Sequence, residues 1–316
     1  MSLMVVDPIQ STPRGPFKHL LDEEDRMWSK DLCWNFGPTR QRLENALREG
    51  TLRGLVARDE VGPCAYATYA VDEDQGVLGS CFAAERARGL GYEARLARQV
   101  LDRLVAHRPR VIDSQTLFSS DRELMEPFTA RGFQSVARLF MSVEQSAWVA
   151  PRPEAPFELR TRPTHRTDLR AVSHLIYEAH HETRNLDASS SFDTLHCCER
   201  VLRQIVLDEV CGPFDSMGSR RVEAGGRAVA VSLLTWPLQG VAHVSEVATA
   251  PSHRRLGLAR RCLTESLRDA FERGRARCAT LSVTASNRAA IALYESLGFK
   301  TRVRYGSHVL REVPLS

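Results

Sequence analysis

The sequence predicts two α/β domains built on one plan, each a mixed sheet with helices on both faces. The 316 residues exceed the usual size of a single hydrophobic core. Two glycine-bearing stretches, GLGYEA from Gly89 and GLARRC from Gly257, each lead into a helical pattern and lie 168 residues apart. Two Gly-Phe pairs follow in the same order, at Gly132 and Gly298, 166 residues apart. This repeated order indicates one domain plan used twice.

A proline-rich seam separates the two copies. Pro151, Pro153 and Pro156 each fix their own φ and bias the preceding residue towards extended structure. We therefore predict one domain at residues 1–148 and a second at 157–316, joined by a linker at 149–156.

The elements of the second copy follow from its hydrophobic periodicity. The runs FELRTR, RAVAVSLLTW, VAHVSEVAT and CATLSVT predict strands, and DLRAVSHLIYEAHHE and FDTLHCCERVLRQIVLDEV have helical spacing. A further helix begins near Leu258 and ends at Gly274. Asn287 or Ser286 caps a short helix that ends at Gly298, and KTRVRYGSHVLREV predicts a final hairpin. The order β-α-α-β-β-β-α-β-α-β-β predicts the mixed sheet.

Composition limits the partners. The formal net charge of +4 suits an anionic small molecule and is too weak and dispersed to indicate nucleic acid. The N-terminal residues lack a secretory signal pattern, and no stretch reaches the length of a membrane-spanning helix. The eight cysteines lack CxxC spacing, which favours reduced thiols over a disulfide or zinc framework. We predict a cytoplasmic protein with no metal and no membrane or nucleic-acid partner.

The stretch around Gly257 predicts an anion site. A strand that ends at Thr249 and a helix that begins near Gly257 place backbone N–H groups at a helix N-terminus, which suits a phosphate or pyrophosphate. Small residues at positions 257 and 259 let the ligand approach the backbone. Arg254, Arg255 and Arg260 add charge-assisted hydrogen bonds. The loop GxxxxGK[ST] is absent, so the sequence does not support nucleoside triphosphate hydrolysis.

The stretch VATAPSHRRLGLAR, followed by TASNRAAIALYESLGF, resembles the GNAT (general control non-repressible-related N-acetyltransferase) superfamily of acyl-coenzyme A-dependent enzymes. The resemblance covers roughly Val241 to Phe299, with the phosphate signature R-x-x-G-x-A at Arg254 to Ala259. It implies tandem GNAT domains with mostly antiparallel sheets, and acetyl-CoA or another acyl-CoA as co-substrate. The second stretch is especially similar to bacterial ribosomal-protein N-terminal acetyltransferases.

The resemblance also implies residue roles. The backbone of Val247, Ala248 and Thr249 would hydrogen-bond the pantetheine arm like an added strand, and Asn287 would contact it. Tyr294 would point at the thioester sulfur. The pyrophosphate would be held by Arg254, Arg255, Leu256, Gly257, Leu258, Ala259 and Arg260.

The chemistry of acyl transfer needs three groups. A base takes the proton of the attacking amine, a donor stabilises the oxyanion, and an acid protonates the departing thiolate. The phenol of Tyr294 suits the last role, and a strand N–H near Ala248 suits the second. For the base, His243 ranks ahead of Glu246, because some similar amine acetyltransferases have histidine at that position. Strand alternation places these two side chains on opposite faces unless a bulge intervenes.

The acceptor side of the site is less defined. His180 and His181 lie where the family builds its acceptor site, so substrate contact and an ordinary surface position are both open for them. In the similar ribosomal-protein enzymes a glutamate stands at the position of Ser282, and serine cannot do the same work. We therefore favour a small-molecule primary amine over a protein N-terminus as acceptor, with acetyl as the default acyl group.

The first copy keeps the glycine-bearing phosphate signature but differs at the residues that the chemistry needs. Arg86, Gly89 and Gly91 preserve the phosphate signature, which makes them a possible second CoA site. Phe128 replaces the tyrosine four residues before the Gly-Phe pair, and Asp121 replaces the asparagine. Phenylalanine cannot protonate a thiolate, so we predict a degenerate first copy and one active site, in the second.

Two other classes of function compete with this prediction. GLGYEA, with Asp113 downstream, fits the dinucleotide fingerprint G-x-G-x-x-G/A of an oxidoreductase, but GLARRC in the second copy does not. A non-catalytic tandem GNAT protein that binds acyl-CoA as a sensor or scaffold is the other alternative. His243 and Tyr294 argue against it, because a pure binder needs no proton donor at the sulfur.

Overall fold

A computed structural model of the chain describes residues 5–12, 14–72, 74–117, 122–149, 161–181, 191–273 and 275–311. Its contacts divide the chain into two compact units. Unit 1 comprises Met1–Ala137 with Arg304–Ser316, and unit 2 comprises Arg138–Val303. Gly274 and most of the predicted linker lie outside the described residues. None of the helices in the described ranges is long and apolar enough to cross a membrane.

Unit 1 has a sheet in the order β1-β2-β3-β4-β5-β12, in which only the β4–β5 pair is parallel. Leucines of α3 pack on one face of this sheet, and Phe17, Leu20 and Leu21 of α1 pack against alternate strand residues. The elements are β1 Val5–Pro8, α1 Arg14–Leu32, α2 Gly37–Glu49, β2 Arg53–Arg58, β3 Pro63–Asp72, β4 Gln75–Ala83, α3 Tyr92–Ala106, β5 Val111–Thr116, α4 Arg122–Thr129 and the distal part of β12 Lys300–Arg311.

Unit 2 has a sheet in the order β6-β11-β10-β9-β8-β7, in which only the β10–β11 pair is parallel. Leu263 and Leu267 of α7 pack beside strand residues such as Leu281, whereas α5 and α6 pack against Val231 and Leu233. The elements are the part of β6 Gln134–Glu144 from Arg138 onwards, β7 Thr161–Pro163, α5 Leu169–His181, α6 Leu195–Val206, β8 Arg220–Ala224, β9 Arg227–Leu238, β10 Val241–Thr249, α7 Leu258–Glu272, β11 Cys278–Thr284 and α8 Arg288–Ser296.

The prediction of one mixed, mostly antiparallel plan used twice is therefore confirmed. Within each sequence copy, three antiparallel strands lead into a helix and then into a strand parallel to the third. In the second copy the predicted strands and helices are present, although the first strand is described only from Thr161. Asn287 is the residue that caps α8, because its side chain accepts from the N–H of Ala290 at 3.1 Å.

The compact units follow strand pairing rather than the proline-rich seam. From Arg138 onwards β6 pairs with β11 in unit 2, although it follows the helix α4 of the first sequence copy. From Gly306 onwards β12 pairs with β5 in unit 1, although it ends the second copy. The sequence-based division into residues 1–148 and 157–316 stays a prediction.

The predicted final hairpin is wrong. Lys300–Arg311 is one strand, and no residue within it has a positive φ. Gly306 serves close packing instead of a turn. A Cβ at this position would lie 2.6 Å from Nε2 of His308 and 2.7 Å from Oγ1 of Thr116. The glycine therefore makes room for the buried His308 side chain.

A buried carboxyl group lies in the core of unit 1. Glu24 of α1 is only 2% exposed and accepts hydrogen bonds from Tyr66, from Nε1 of Trp28 at 3.2 Å and from Oγ of Ser80 at 3.2 Å. Burial raises the pKa of Glu24 to about 7, and the three hydrogen bonds lower it only in part. The folded protein therefore holds this proton at a pH where the unfolded chain has released it.

We predict that unit 1 loses stability as pH rises through this range. The carboxyl pKa is near 4.5 in the unfolded chain and about 7 when folded, so the loss begins above about pH 4.5 and is complete above about pH 7. The difference corresponds to about 3 kcal/mol at most. Glu24→Gln removes this dependence, and Glu49→Gln, at an exposed position of α2, does not. Urea unfolding between pH 5 and 8 measures it, and equal pH slopes for both variants would contradict the prediction.

Candidate active site

The stretch between β10 and α7, Ala250–Gly257, forms a sharp corner, which we call corner 2. A short 3-10 helix, Pro251–His253, follows the strand, and Arg255 and Gly257 then both take positive φ, of 66° and 73°. Gly257 is the N-cap of α7 and has no side chain with which to cap the helix. The first N–H groups of α7 are therefore available to an anion at the positive end of the helix dipole.

Arginine side chains surround corner 2. Arg254 donates to the carbonyl of Ala179 in α5 at 2.8 Å, which ties the corner to that helix. Arg255 is exposed, and Leu256 between the two positive-φ residues is 51% exposed. Arg260 lies half-buried in the first turn of α7. The corner thus presents positive charge and backbone donors at an open surface, which suits a pyrophosphate.

β10 and β11 part beside this corner. They pair only from Val241 opposite Cys278 to Val244 opposite Leu281, and β10 then continues to Thr249 while it pairs with β9 alone. Among the described residues, the strand edge of Val247, Ala248 and Thr249 that faces β11 therefore has no strand partner. The N–H of Val247 donates to Oε1 of Glu246 at 3.0 Å. An extended ligand arm can add to such an edge as a strand does.

A β-bulge brings the two predicted base residues to one face. His243 lies opposite Thr235 and Glu246 lies opposite Leu233, so one residue, Ser245, is extra on β10. Residues directly opposite one another in an antiparallel pair share a face, and Thr235 and Leu233 are two residues apart on β9. His243 and Glu246 therefore point to the same side. The opposite-face arrangement expected from simple alternation does not occur.

His243 is a buried side chain. It is 8% exposed, its Nδ1 lies 2.9 Å from Oγ1 of Thr280, and its ring lies parallel to Phe140 at 6.3 Å between centroids. Burial lowers the pKa of His243 to about 4. The imidazole is therefore neutral at physiological pH, and one of its nitrogens is occupied by Thr280.

Glu246 contacts His180, a pairing that sequence patterns did not predict. Its Oε1 lies 3.3 Å from Nε2 of His180 at the C-terminal end of α5, and the side chains are 10% and 25% exposed. The ring of His180 stacks on Phe192 at 4.1 Å, which fixes the plane of the imidazole. His181 instead packs against Tyr177 at 5.2 Å. Only the tertiary fold distinguishes these adjacent histidines, because the contact is between a helix end and a strand.

Tyr294 lies on α8 with its ring buried against Phe299 at 6.1 Å. Burial raises the pKa of Tyr294, the negative charge of Glu246 raises it further, and the positive charge of Arg138 lowers it. The phenol therefore stays protonated at neutral pH and lies within electrostatic range of both charges. Asn287 begins the same helix and is exposed, with its side-chain oxygen used as the N-cap.

The thiol of Cys198, which is influenced by the charge of Glu246, stays protonated. Cys198 of α6 is fully buried, and burial followed by the charge of Glu246 raises its pKa to about 12. It is a neutral packing residue at neutral pH. Among the described residues, no group of three or more His, Cys, Asp or Glu side chains is placed to hold a metal ion.

Unit 1 contains a similar corner, and its backbone angles show which residues of the two sequence copies correspond. In corner 1, Ala84–Gly91, a 3-10 helix Glu85–Ala87 is followed by positive φ at Gly89 and Gly91, of 71° and 77°. Gly91 is the N-cap of α3, as Gly257 is of α7. The equivalent of Gly257 is therefore Gly91, not Gly89, and the repeat offset is 166 residues here as at the Gly-Phe pairs.

This offset changes which side chains correspond. Arg88, not Arg86, is the equivalent of Arg254, and it reaches Glu23 of α1 at 3.4 Å. Arg86 instead pairs with Asp59 at 3.0 Å and donates to the carbonyl of Pro63 at 2.8 Å, in the β2–β3 turn. Glu93 stands in place of the small Ala259. Corner 1 keeps the backbone shape and the arginine at position 88, but Gly89 and Ala94 stand in place of Arg255 and Arg260.

The interior of unit 1 differs in the same way. Phe128, at the position of Tyr294, stacks on His308 at 3.9 Å between ring centroids. The offset places Ser80 where unit 2 has Glu246, and Ser80 bonds Glu24 on α1 much as Glu246 bonds His180 on α5. Asp121 lies outside the described residues. The described part of unit 1 therefore has neither the phenol nor the strand carboxylate at the equivalent positions.

Comparisons with known proteins identify a family domain within the chain and relate its fold to solved structures. Residues 178–299 match the model of the acetyltransferase (GNAT) family, and no curated protein sequence matches the chain significantly. The chain is similar to a solved GCN5-related N-acetyltransferase from Sphaerobacter thermophilus, with 18% identity, a TM-score of 0.66 and coverage of 98% of this chain and 96% of that one.

Two other solved structures have related folds. One is a tandem GNAT protein from the clavulanic acid biosynthesis pathway, with 15% identity, a TM-score of 0.57 and coverage of 99% of this chain and 100% of that one. The other is the glucosamine N-acetyltransferase region of a fungal multi-domain GH3 β-N-acetylglucosaminidase, with 13% identity, a TM-score of 0.63 and coverage of 98% of this chain and 38% of that one. Residues 178–299 are therefore a GNAT domain, and the chain has the tandem GNAT fold that the sequence predicts.

We predict that His243 does not titrate between pH 5 and 8. Its ring is neutral throughout this range because burial lowers its pKa to about 4. Histidine ring NMR signals measure this, with His243→Gln used to assign the resonance. A midpoint above pH 6 would contradict the buried, neutral assignment.

Proposed function

We propose that the chain is an acyl-CoA-dependent N-acyltransferase that transfers an acetyl group to a primary amine on a small molecule, at one active site in unit 2. One observation carries the proposal: Tyr294 belongs to the core cluster that Val247, on the unpaired edge of β10, packs against, and Glu246 precedes Val247 on the same strand next to corner 2. This combination supplies a base, an acid and a ligand groove together. A cytosolic location fits the co-substrate and the eight free cysteines.

The residues present fit acetyl-CoA as co-substrate. The pyrophosphate would lie on the N–H groups from Arg255 to Arg260, where Gly257 leaves the backbone uncovered. The pantetheine would extend along Val247, Ala248 and Thr249, with Asn287 at its side. Its carbonyl would take over the Val247 N–H that Glu246 accepts, which frees the carboxylate to face the acceptor amine.

The proposed reaction is a direct displacement. The amine nitrogen attacks the thioester carbonyl, Glu246 takes the nitrogen proton, and an N–H of β10 near Ala248 stabilises the oxyanion. The C–S bond then breaks while Tyr294 gives its proton to the sulfur. A proton returns to the phenolate through solvent from Glu246, so the products are the amide and free CoA. His180 orients the Glu246 carboxylate, at 3.3 Å.

We assign the base to Glu246 ahead of His243, which reverses the order favoured by sequence. Glu246 is partly accessible and next to the groove, whereas His243 is buried and bonded to Thr280. A neutral ring in that position supports the strand rather than the acceptor. The small-amine acceptor is favoured over a protein N-terminus by Ser282, which lies on β11 where similar protein acetyltransferases have glutamate.

Unit 1 would bind CoA without chemistry. Corner 1 retains two positive-φ glycines, and at Gly89 a Cβ would meet no atom within 4 Å, so the backbone there is open. The sequence predicts Arg86, Gly89 and Gly91 for this site. In the structure, Arg88 rather than Arg86 is the equivalent of Arg254. Without the equivalents of Tyr294 and Glu246, a ligand there would not react.

We predict that Tyr294→Phe and Glu246→Gln each lower kcat about 100-fold or more, because each removes one proton transfer. His243→Gln lowers kcat by less than about tenfold, since the ring is not the base. Tyr177→Phe is the matched control, a phenol in the same unit that packs on His181. Release of free CoA thiol from acetyl-CoA with a panel of small amines measures the rates. Full activity of both Tyr294→Phe and Glu246→Gln would refute the site, and a wild-type protein that releases no thiol would favour a sensor or scaffold.

We predict two acetyl-CoA sites of unequal affinity, of which only the one in unit 2 supports turnover. Gly257→Glu places a carboxylate in corner 2 and abolishes turnover, while Gly91→Glu leaves turnover unchanged and removes the weaker site. Titration calorimetry gives the number of sites. If the wild-type protein has a single acetyl-CoA site that Gly91→Glu does not affect, corner 1 does not bind acetyl-CoA.

A further inference from the structure

The active-site unit contains a strand from the first sequence copy. β6 follows α4 and its Gly-Phe turn, yet seven consecutive residues of it pair with β11, from Arg138 opposite Thr284 to Glu144 opposite Cys278. The register has no break, so this strand is a regular part of the sheet of unit 2. The segment after it is anchored as well. The side-chain amide of Gln145 donates to the backbone carbonyl of Phe271 at 2.9 Å, and Trp148 packs on the ring of Phe271 at 5.2 Å between centroids.

This strand supports the side chains of the proposed site. Phe140 lies parallel to the ring of His243, and Met141 is fully buried in the core cluster that holds Tyr294 and Leu281. The strand that ends the second copy does not provide these contacts, because from Gly306 it pairs with β5 of unit 1. The sheet of unit 2 therefore includes one strand, β6, that comes from the first sequence copy.

Arg138 is the charged residue that this strand brings to the site. It lies opposite Thr284, at the end of β11 that has parted from β10, and its side chain is half-buried. Arg138 shares a face of β6 with Phe140, which lies parallel to the ring of His243, and the positive charge of Arg138 lowers the pKa of Tyr294 whereas the charge of Glu246 raises it. When Tyr294 gives its proton to the departing sulfur, negative charge passes from sulfur to the phenol oxygen, and a nearby guanidinium stabilises both.

We propose that the first sequence copy supplies a catalytic component of the second copy's active site, in that β6 places the Arg138 guanidinium where it stabilises the charge that develops during thioester cleavage. The inference rests on the proposed acyltransferase function. It gives the copy without its own tyrosine a role in the reaction that does not require it to bind CoA. Arg138 acts on the step that breaks the C–S bond, so its removal lowers kcat rather than acetyl-CoA affinity.

The test compares Arg138→Met, Arg138→Lys and Arg138→Ala in the full chain. We expect Arg138→Met to lower kcat about 100-fold with an unchanged dissociation constant for acetyl-CoA, and Arg138→Lys to lower it less, since the charge remains. Millimolar guanidinium restores part of the kcat of Arg138→Ala. Arg302→Met is the control: this arginine of unit 2 is 32% exposed, lies 3.7 Å from Glu144, and its loss leaves kcat unchanged.

The outcomes separate the inference from the proposed function. If Arg138→Met keeps wild-type kcat while Tyr294→Phe is impaired, the acyltransferase proposal stands and the role of Arg138 is wrong. If kcat and acetyl-CoA affinity fall together, in Arg138→Lys as much as in Arg138→Met, and guanidinium restores nothing, Arg138 is structural and the inference is again wrong. If the wild-type chain releases no CoA with any amine, the proposed function itself fails. Circular dichroism establishes that each variant is folded.

Discussion

The candidate site depends on the point where β10 and β11 stop pairing. Two parallel strands share hydrogen bonds as far as Val244 and Leu281, and both then continue apart. The backbone edge of β10 is thereby left for a ligand arm, corner 2 lies at the end of that edge, and the bulge at Ser245 turns Glu246 towards it. None of these features works without the separation of the strands, because a continuous ladder would satisfy the same N–H groups.

The two units show that backbone and chemistry are separable. Positive φ occurs at Gly89 and Arg255, which are equivalent positions, so the fold requires this conformation even where the residue is not glycine. What differs is the side chains within the sheet. Unit 2 has a strand carboxylate and a phenol, whereas unit 1 has Ser80 bonded to a buried Glu24, and Phe128 stacked on His308. The corners of the two units share a backbone shape, whereas the side chains around them differ.

Sequence patterns predicted the features that depend on interactions between residues close together in the chain. The strands, the helix at Leu258 and the Asn287 cap follow from periodicity and hydrogen-bonding groups within a few residues. The sequence did not reveal the bulge, the His180–Glu246 contact or the exchange of final strands, because each joins segments far apart in the chain. The hairpin prediction failed at Gly306 for the same reason, since that glycine accommodates His308 rather than a turn. The misalignment at Gly89 arose because arginine and glycine recur two residues apart in this stretch, and the backbone angles agree with the offset of 166 residues at the Gly-Phe pairs.

We propose that thioester chemistry occurs at Tyr294, Glu246 and the open edge of β10. A crystal structure of the full chain with bound CoA would show where the sulfur lies. We expect the pyrophosphate on the N–H groups from Arg255 to Arg260 and the sulfur within hydrogen-bonding distance of the Tyr294 hydroxyl. A CoA molecule in corner 2 whose sulfur lies away from Tyr294 and Glu246, or CoA bound in unit 1 alone, would contradict it.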